Sequence, residues 1–82
     1  MSSKNIIVTG ATSGIGWSIA TLLCQKGHRV YALGRRTERL NELAQSLSDA
    51  PGILEPVSIN LRQTNEILQF FEHLPPIDVL IN

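Results

Sequence analysis

Apolar residues along the chain fall into short runs that alternate with amphipathic stretches of helical spacing. The run Asn5 to Thr9 is apolar at Ile6, Ile7 and Val8 and predicts a first, buried strand. A first helix is expected from about Gly14 to Lys26, with Ile15, Ile19, Leu22 and Leu23 on its inner face and Gly27 ending it at the C′ position. Val30 to Leu33 reads as a second strand, apolar throughout as when both faces of a sheet are covered. Thr37 is a suitable N-cap for a second helix carrying Leu40, Leu43, Ala44 and Leu47. The cluster Asp49-Ala50-Pro51-Gly52 marks a turn before a third strand at Ile53 to Ile59. Pro56 lacks a ladder donor, which places that strand at an edge. A third helix is expected at Thr64 to His73, with Ile67, Leu68, Phe71 and Leu74 inward; Pro75-Pro76 stops it, and Ile77 to Ile81 forms a fourth strand.

Strand and helix alternating over short connections indicate an α/β fold with a parallel sheet. The expected architecture is a Rossmann-type, doubly wound sheet, truncated to about four strands and three helices in the order 3-2-1-4, where the third strand is the edge that Pro56 requires.

Composition narrows the function classes. With 82 residues, 43% of them hydrophobic, the chain makes one small unit, and at this size only about 60–65% of the unfolded surface is buried. Seven basic and seven acidic residues cancel, so the basic footprint of a nucleic-acid binder is missing. No apolar run reaches the roughly 18–20 residues of a membrane span, and the N-terminus lacks the pattern of a secretory signal, so a cytoplasmic location is the default expectation. The single cysteine, Cys24, has no internal disulfide partner.

Candidate chemistry concentrates where the first strand meets the first helix. Gly10, Gly14 and Gly16 bracket a loop of small residues that also holds Ala11, Thr12 and Ser13. Gly10 allows a sharp exit from the strand, while Gly14 and Gly16 keep the loop bare enough for an anion to reach the backbone. The unpaired N–H groups of Ser13, Gly14, Ile15 and Gly16, with the positive end of the helix dipole, make a pyrophosphate cradle, and the Thr12 and Ser13 hydroxyls are further donors. The spacing G-x-x-x-G-x-G is neither the G-x-G-x-x-G fingerprint nor a Walker loop.

Thr9-Gly10-x-x-x-Gly14-Ile15-Gly16 resembles the cofactor loop of classical short-chain dehydrogenases/reductases. Gly27-His28-Arg29-Val30, Gly34-Arg35-Arg36 and Leu74-Pro75-Pro76-Ile77-Asp78-Val79-Leu80-Ile81-Asn82 stand, in order, where that family has similar residues. The resemblance runs the length of the chain. It implies that residues 1–82 are the N-terminal part of a single NAD(P)-binding Rossmann domain, ending in the fourth strand. It also implies a dinucleotide partner, homo-oligomeric full-length relatives, and a catalytic Ser and Tyr-x-x-x-Lys pair beyond Asn82.

The end of the second strand discriminates between the two nicotinamide cofactors. A carboxylate there would accept from the ribose hydroxyls of NAD, but that position is Gly34, and Arg35 and Arg36 follow. A guanidinium can grip the 2′-phosphate of NADP through charge-assisted hydrogen bonds, so NADP is favoured over NAD, with Arg35 the main contact and Arg36 in support. The basic residue that some NADP-preferring relatives carry before the second loop glycine is Ser13 here. Asn60-Leu61 stands where the family has Asp and an apolar residue beside the adenine, and an amide oxygen can accept from the adenine amino group as a carboxylate does. Asn82 matches the first residue of the family's Asn-Asn-Ala-Gly, which braces the sheet beside the cofactor.

Other signals are set aside. Tyr31 and Arg35 imitate Tyr-x-x-x-Lys, but Tyr31 lies in a strand and Gly34 interrupts the path. Cys24 and His28 have zinc-ligand spacing, yet Gly27 ends the helix between them and no further ligands cluster nearby. His73 suits a helix C-terminus. Trp17 is expected off the apolar face of the first helix. The expected function is therefore the cofactor-binding portion of an NADP(H)-dependent short-chain dehydrogenase/reductase, without the residues to transfer hydride alone; the alternative is a non-catalytic nucleotide-binding or vestigial product.

Overall fold

A computed structural model describes residues 3–60 and 62–82. Four strands and three helices alternate: β1 (Asn5–Thr9), α1 (Gly14–Gln25), β2 (Arg29–Gly34), α2 (Thr37–Ser46), β3 (Ile53–Ser58), α3 (Thr64–Glu72) and β4 (Val79–Ile81). The strands form one sheet in the order β3-β2-β1-β4, all pairs parallel. β3 is an edge strand, and Pro56 sits in it opposite Ala32 without needing a second neighbour.

Side chains alternate across the sheet and build two cores. Ile6, Val8, Val30 and Ala32 face α1 and α2, where Ala20, Cys24, Leu40, Leu43 and Leu47 close over them. Ile7, Tyr31, Leu33 and Ile59 face the other way, under Ile67, Phe70 and Leu74 of the α3 region. Tyr31 and Phe70 meet edge to face at 6.4 Å between ring centroids. The result is a three-layer sandwich, with α3 the thinner cover because none of its residues is fully buried.

Several details depart from the periodicity. The buried stripe of α1 is Gly16, Ala20 and Cys24, whereas Ile15 is 78% and Leu22 53% exposed. The four-residue loop from Thr9 to Gly14 draws the start of α1 against the sheet so closely that only small residues fit. Trp17 is half-buried against that core, with the Arg39 guanidinium 4.3 Å from its ring centroid, rather than turned away. In α3, Ile67 and Phe70 face the sheet, while Leu68 and Phe71 stay 56% and 46% exposed. Arg36, not Thr37, holds the N-cap position of α2; the Thr37 hydroxyl donates instead to Ser58 Oγ at 2.9 Å. β4 covers only Val79–Ile81, because Asp78 is occupied with Asn5: each main-chain N–H of the pair donates to the other residue, at 2.8 Å.

Candidate functional site: two clefts astride the glycine loop

The chain reverses its direction of winding at β1, since β2 and β3 lie to one side and β4 to the other. At such a switch point the loops leaving the C-terminal strand ends diverge and open a crevice. The loop from Thr9 to Gly14 stands in that crevice. Gly10 turns it at φ +63°, a conformation open to glycine. Ala11 N–H then donates to Leu33 O at 3.2 Å, tying the loop to the end of β2.

Ser13 caps α1. Its hydroxyl accepts from Gly16 N–H at 3.4 Å and donates to Gly10 O at 2.7 Å, so that proton is committed within the loop. The first helical hydrogen bond runs from Trp17 N–H to Ser13 O at 2.8 Å. Gly14 and Ile15 lie ahead of it in the first turn, where N–H groups have no acceptor inside the helix. A Cβ on Gly14 would meet nothing within 4 Å, so the backbone there is open to a ligand. These donors, the dipole behind them and the bare backbone fit an anionic group.

On the β2 side lies a cleft of about 580 Å³, lined by Gly10, Thr12 and Ser13 of the loop, Leu33 to Arg36, and Ile59, Asn60 and Arg62. On the β4 side a smaller cleft of about 270 Å³ is bounded by Gly10, Ser13, Ile15 and Gly16, with Ile81 and Asn82 on its far wall. Gly10 and Ser13 belong to both, so the loop is a ridge between two half-sites. The expected residues thus gather around one loop, but in two groups: Thr12, Arg35, Arg36 and Asn60 to one side, Ile15, Gly16 and Asn82 to the other. Leu61 lies outside the described residues. Asn82 is held by Thr9, whose hydroxyl donates to Asn82 Oδ1 at 3.1 Å.

The larger cleft is strongly basic. Three of the chain's seven basic side chains line it, Arg35, Arg36 and Arg62, and none of its seven acidic ones does. Arg62 is not among the residues that the sequence pattern points to, which stop past the strand end at Asn60-Leu61. A basic residue two positions beyond that end was the available signal. Asn60 Oδ1 accepts from Arg62 N–H at 3.0 Å, which spends one of its two lone pairs. Gly34 has a packing reason of its own: a Cβ there would come within 3.0 Å of Thr12 Cγ2. Cys24 is fully buried under the sheet, and burial pushes its thiol pKa up. Among the described residues no group of three His, Cys, Asp or Glu is placed to hold a metal. No helix among them is long and apolar enough to cross a membrane.

Comparison with known proteins agrees with this fold. The model of the short chain dehydrogenase family matches residues 4–82. The chain is 42% identical over 81 residues to a Dichelobacter nodosus protein named "Probable NADP-dependent dehydrogenase in aabA 3'region", covering 94% of this chain and 74% of that one. It is 40% identical over 81 residues to the NADP-dependent 3-hydroxy acid dehydrogenase of Escherichia coli K12, covering 94% of this chain and 32% of the relative. Among solved structures, a metagenomic short-chain oxidoreductase in complex with NADP superposes with a TM-score of 0.86 at 31% identity, over 98% of this chain and 38% of that one. The chain therefore spans about three quarters of one relative and about a third of the others. It belongs to the short chain dehydrogenase family, as the N-terminal portion of the family's domain.

Proposed function

We propose that this member of the short chain dehydrogenase family binds NADP(H) across its glycine loop, holding the cofactor for hydride exchange with a carbonyl or alcohol substrate. The observation that carries the reading is the composition of the larger cleft: three arginines, no carboxylate, and Gly34 where an NAD site would place an acid. In support, relatives 42% and 40% identical carry NADP dependence in their names, and a structure 31% identical holds NADP. In this reading Gly14 and Ile15 receive the pyrophosphate on their backbone, Gly16 holds the turn against the strand exit with its N–H on the Ser13 hydroxyl, and Gly10 and Thr12 shape the approach. Arg35 and Arg36 hold the 2′-phosphate. Asn60 accepts from the adenine amino group with its remaining lone pair, and Asn82 stands near the nicotinamide half. Ser13 acts as the cap that keeps the loop in shape, since its hydroxyl proton is already donated to Gly10 O.

The bound nicotinamide supplies the hydride chemistry. These 82 residues supply binding and orientation: their one tyrosine, Tyr31, is buried in β2 under α3 and reaches neither cleft. Residues 1–82 are accordingly the cofactor-holding front of the domain. Titration with NADPH and NADH, followed by Trp17 fluorescence or calorimetry, tests the proposal. NADPH is expected to bind at least about tenfold more tightly. Equal affinities, or no binding of either, overturn it.

A further inference from the structure

We infer that Arg62 is a specificity-determining residue for the 2′-phosphate, closing on it from the β3 side while Arg35 holds it from the β2 side. The inference rests on the NADP reading above. It starts from strand ends lying level with one another. Gly34 pairs in register with Ser58, and Ile59 N–H donates to Gly34 O at 2.9 Å, which zips the ends of β2 and β3 together. The connections that follow diverge from this common point, one carrying Arg35 and Arg36, the other Asn60 and Arg62. All four line the same cleft, so arginines stand on both banks of it.

The turn carrying Arg62 is built rather than loose. Asn60 accepts twice within it, at Oδ1 from Arg62 N–H and at its main-chain oxygen from Gln63 N–H, both at 3.0 Å. An Asx turn of this kind fixes where the Arg62 backbone stands. Charge explains why a second bank is needed. Beside the cleft, a polar recess of about 240 Å³ is lined by Arg35, Ser58, Ile59, Asn60 and Glu66. The Glu66 carboxylate thus shares a recess with Arg35 and offsets part of its charge. A 2′-phosphate carries up to two negative charges near neutral pH. With Arg62 the three guanidinium charges, less that partial offset, exceed the phosphate's two; without Arg62 they fall short of two.

The test measures binding of adenosine 2′,5′-bisphosphate and of 5′-AMP to the wild-type chain and to Arg62→Gln and Arg62→Lys. The wild type is expected to prefer the bisphosphate. Arg62→Gln should lower its affinity for the bisphosphate about tenfold and leave 5′-AMP within about twofold, with Arg62→Lys between. Arg62 is exposed, so thermal unfolding of the variants should match the wild type. A wild-type preference that Arg62→Gln leaves intact overturns the role of Arg62 while keeping the NADP reading. Equal losses for both ligands also overturn it, placing the guanidinium on the adenine instead. No wild-type preference overturns the NADP reading and this inference with it.

Discussion

A Cβ atom on Gly16 would lie 2.2 Å from the carbonyl oxygen of Gly10, a distance no side chain tolerates. The start of α1 therefore touches the backbone that leaves β1, and the turn holding the loop's N–H groups is set by that contact. Gly16→Ala must push helix and strand apart. We expect a loss of about 3 kcal/mol of stability together with loss of nucleotide binding. Gly14→Ala is the control, because its Cβ enters open space. It should leave the denaturation midpoint unchanged or slightly raised and still weaken nucleotide binding. Denaturant titrations of both variants, with and without NADPH, separate the two effects.

Arg35→Ala should weaken NADPH binding by one to two decades, on a loss of about 1.5–3 kcal/mol for a charge-assisted contact, and leave NADH nearly unchanged. Equal losses for both cofactors would refute the 2′-phosphate assignment.

Conversion to NAD preference by Gly34→Asp alone should be poor. The new Cβ stands 3.0 Å from Thr12 Cγ2, so the carboxylate comes with a strained loop. A cost of about 1–2 kcal/mol is expected, partly recovered in Gly34→Asp with Thr12→Ser, which removes that methyl group. Thermal unfolding of the single and double variants, beside NADH titrations, checks both parts.

Trp17 is the chain's one tryptophan, and Arg39 stacks on it while also pairing with Glu42 at 3.1 Å. Arg39→Ala should red-shift its emission and destabilise the α1–α2 contact by about 0.5–1 kcal/mol. An unchanged spectrum would show the stack to be absent in solution.

Cys24 links stability to alkaline pH. Burial raises the pKa of its thiol above the ordinary 9.0, so the folded state holds the proton more tightly than the unfolded one. That contribution is complete below pH 9 and is lost as pH rises through the folded value. The denaturation midpoint should fall above pH 9 more steeply in the wild type than in Cys24→Ala. Thiol reagents should label Cys24 only as the chain unfolds.

The order of elements and the strand sequence 3-2-1-4 were legible because alternating periodicities and short connections leave a parallel sheet few topologies. Pro56 pointed correctly to an edge, since a missing N–H is a local fact with a fixed consequence. The inner faces of α1 and α3 were less legible. Ile15 and Leu22 scored as core by hydrophobicity, yet the sheet accepted Gly16, Ala20 and Cys24. Hydrophobicity ranks what a residue gains by burial, whereas the short loop fixed how near the helix comes.

The candidate site divides along the same line. The glycine loop and the Arg35-Arg36 pair follow from residue types at fixed spacing, and the sequence alone determined them. That Gly34 leaves room for Thr12, that Asn60 spends a lone pair on its own turn, and that Arg62 reaches the cleft of Arg35 were decided by tertiary structure. The first and last are approaches between segments far apart in the chain, set by strand register and the packing of helices on the sheet, and the second is a local turn whose hydrogen bond no residue pattern announced. A one-dimensional pattern records which residues share a face; only the folded chain sets how closely the faces meet.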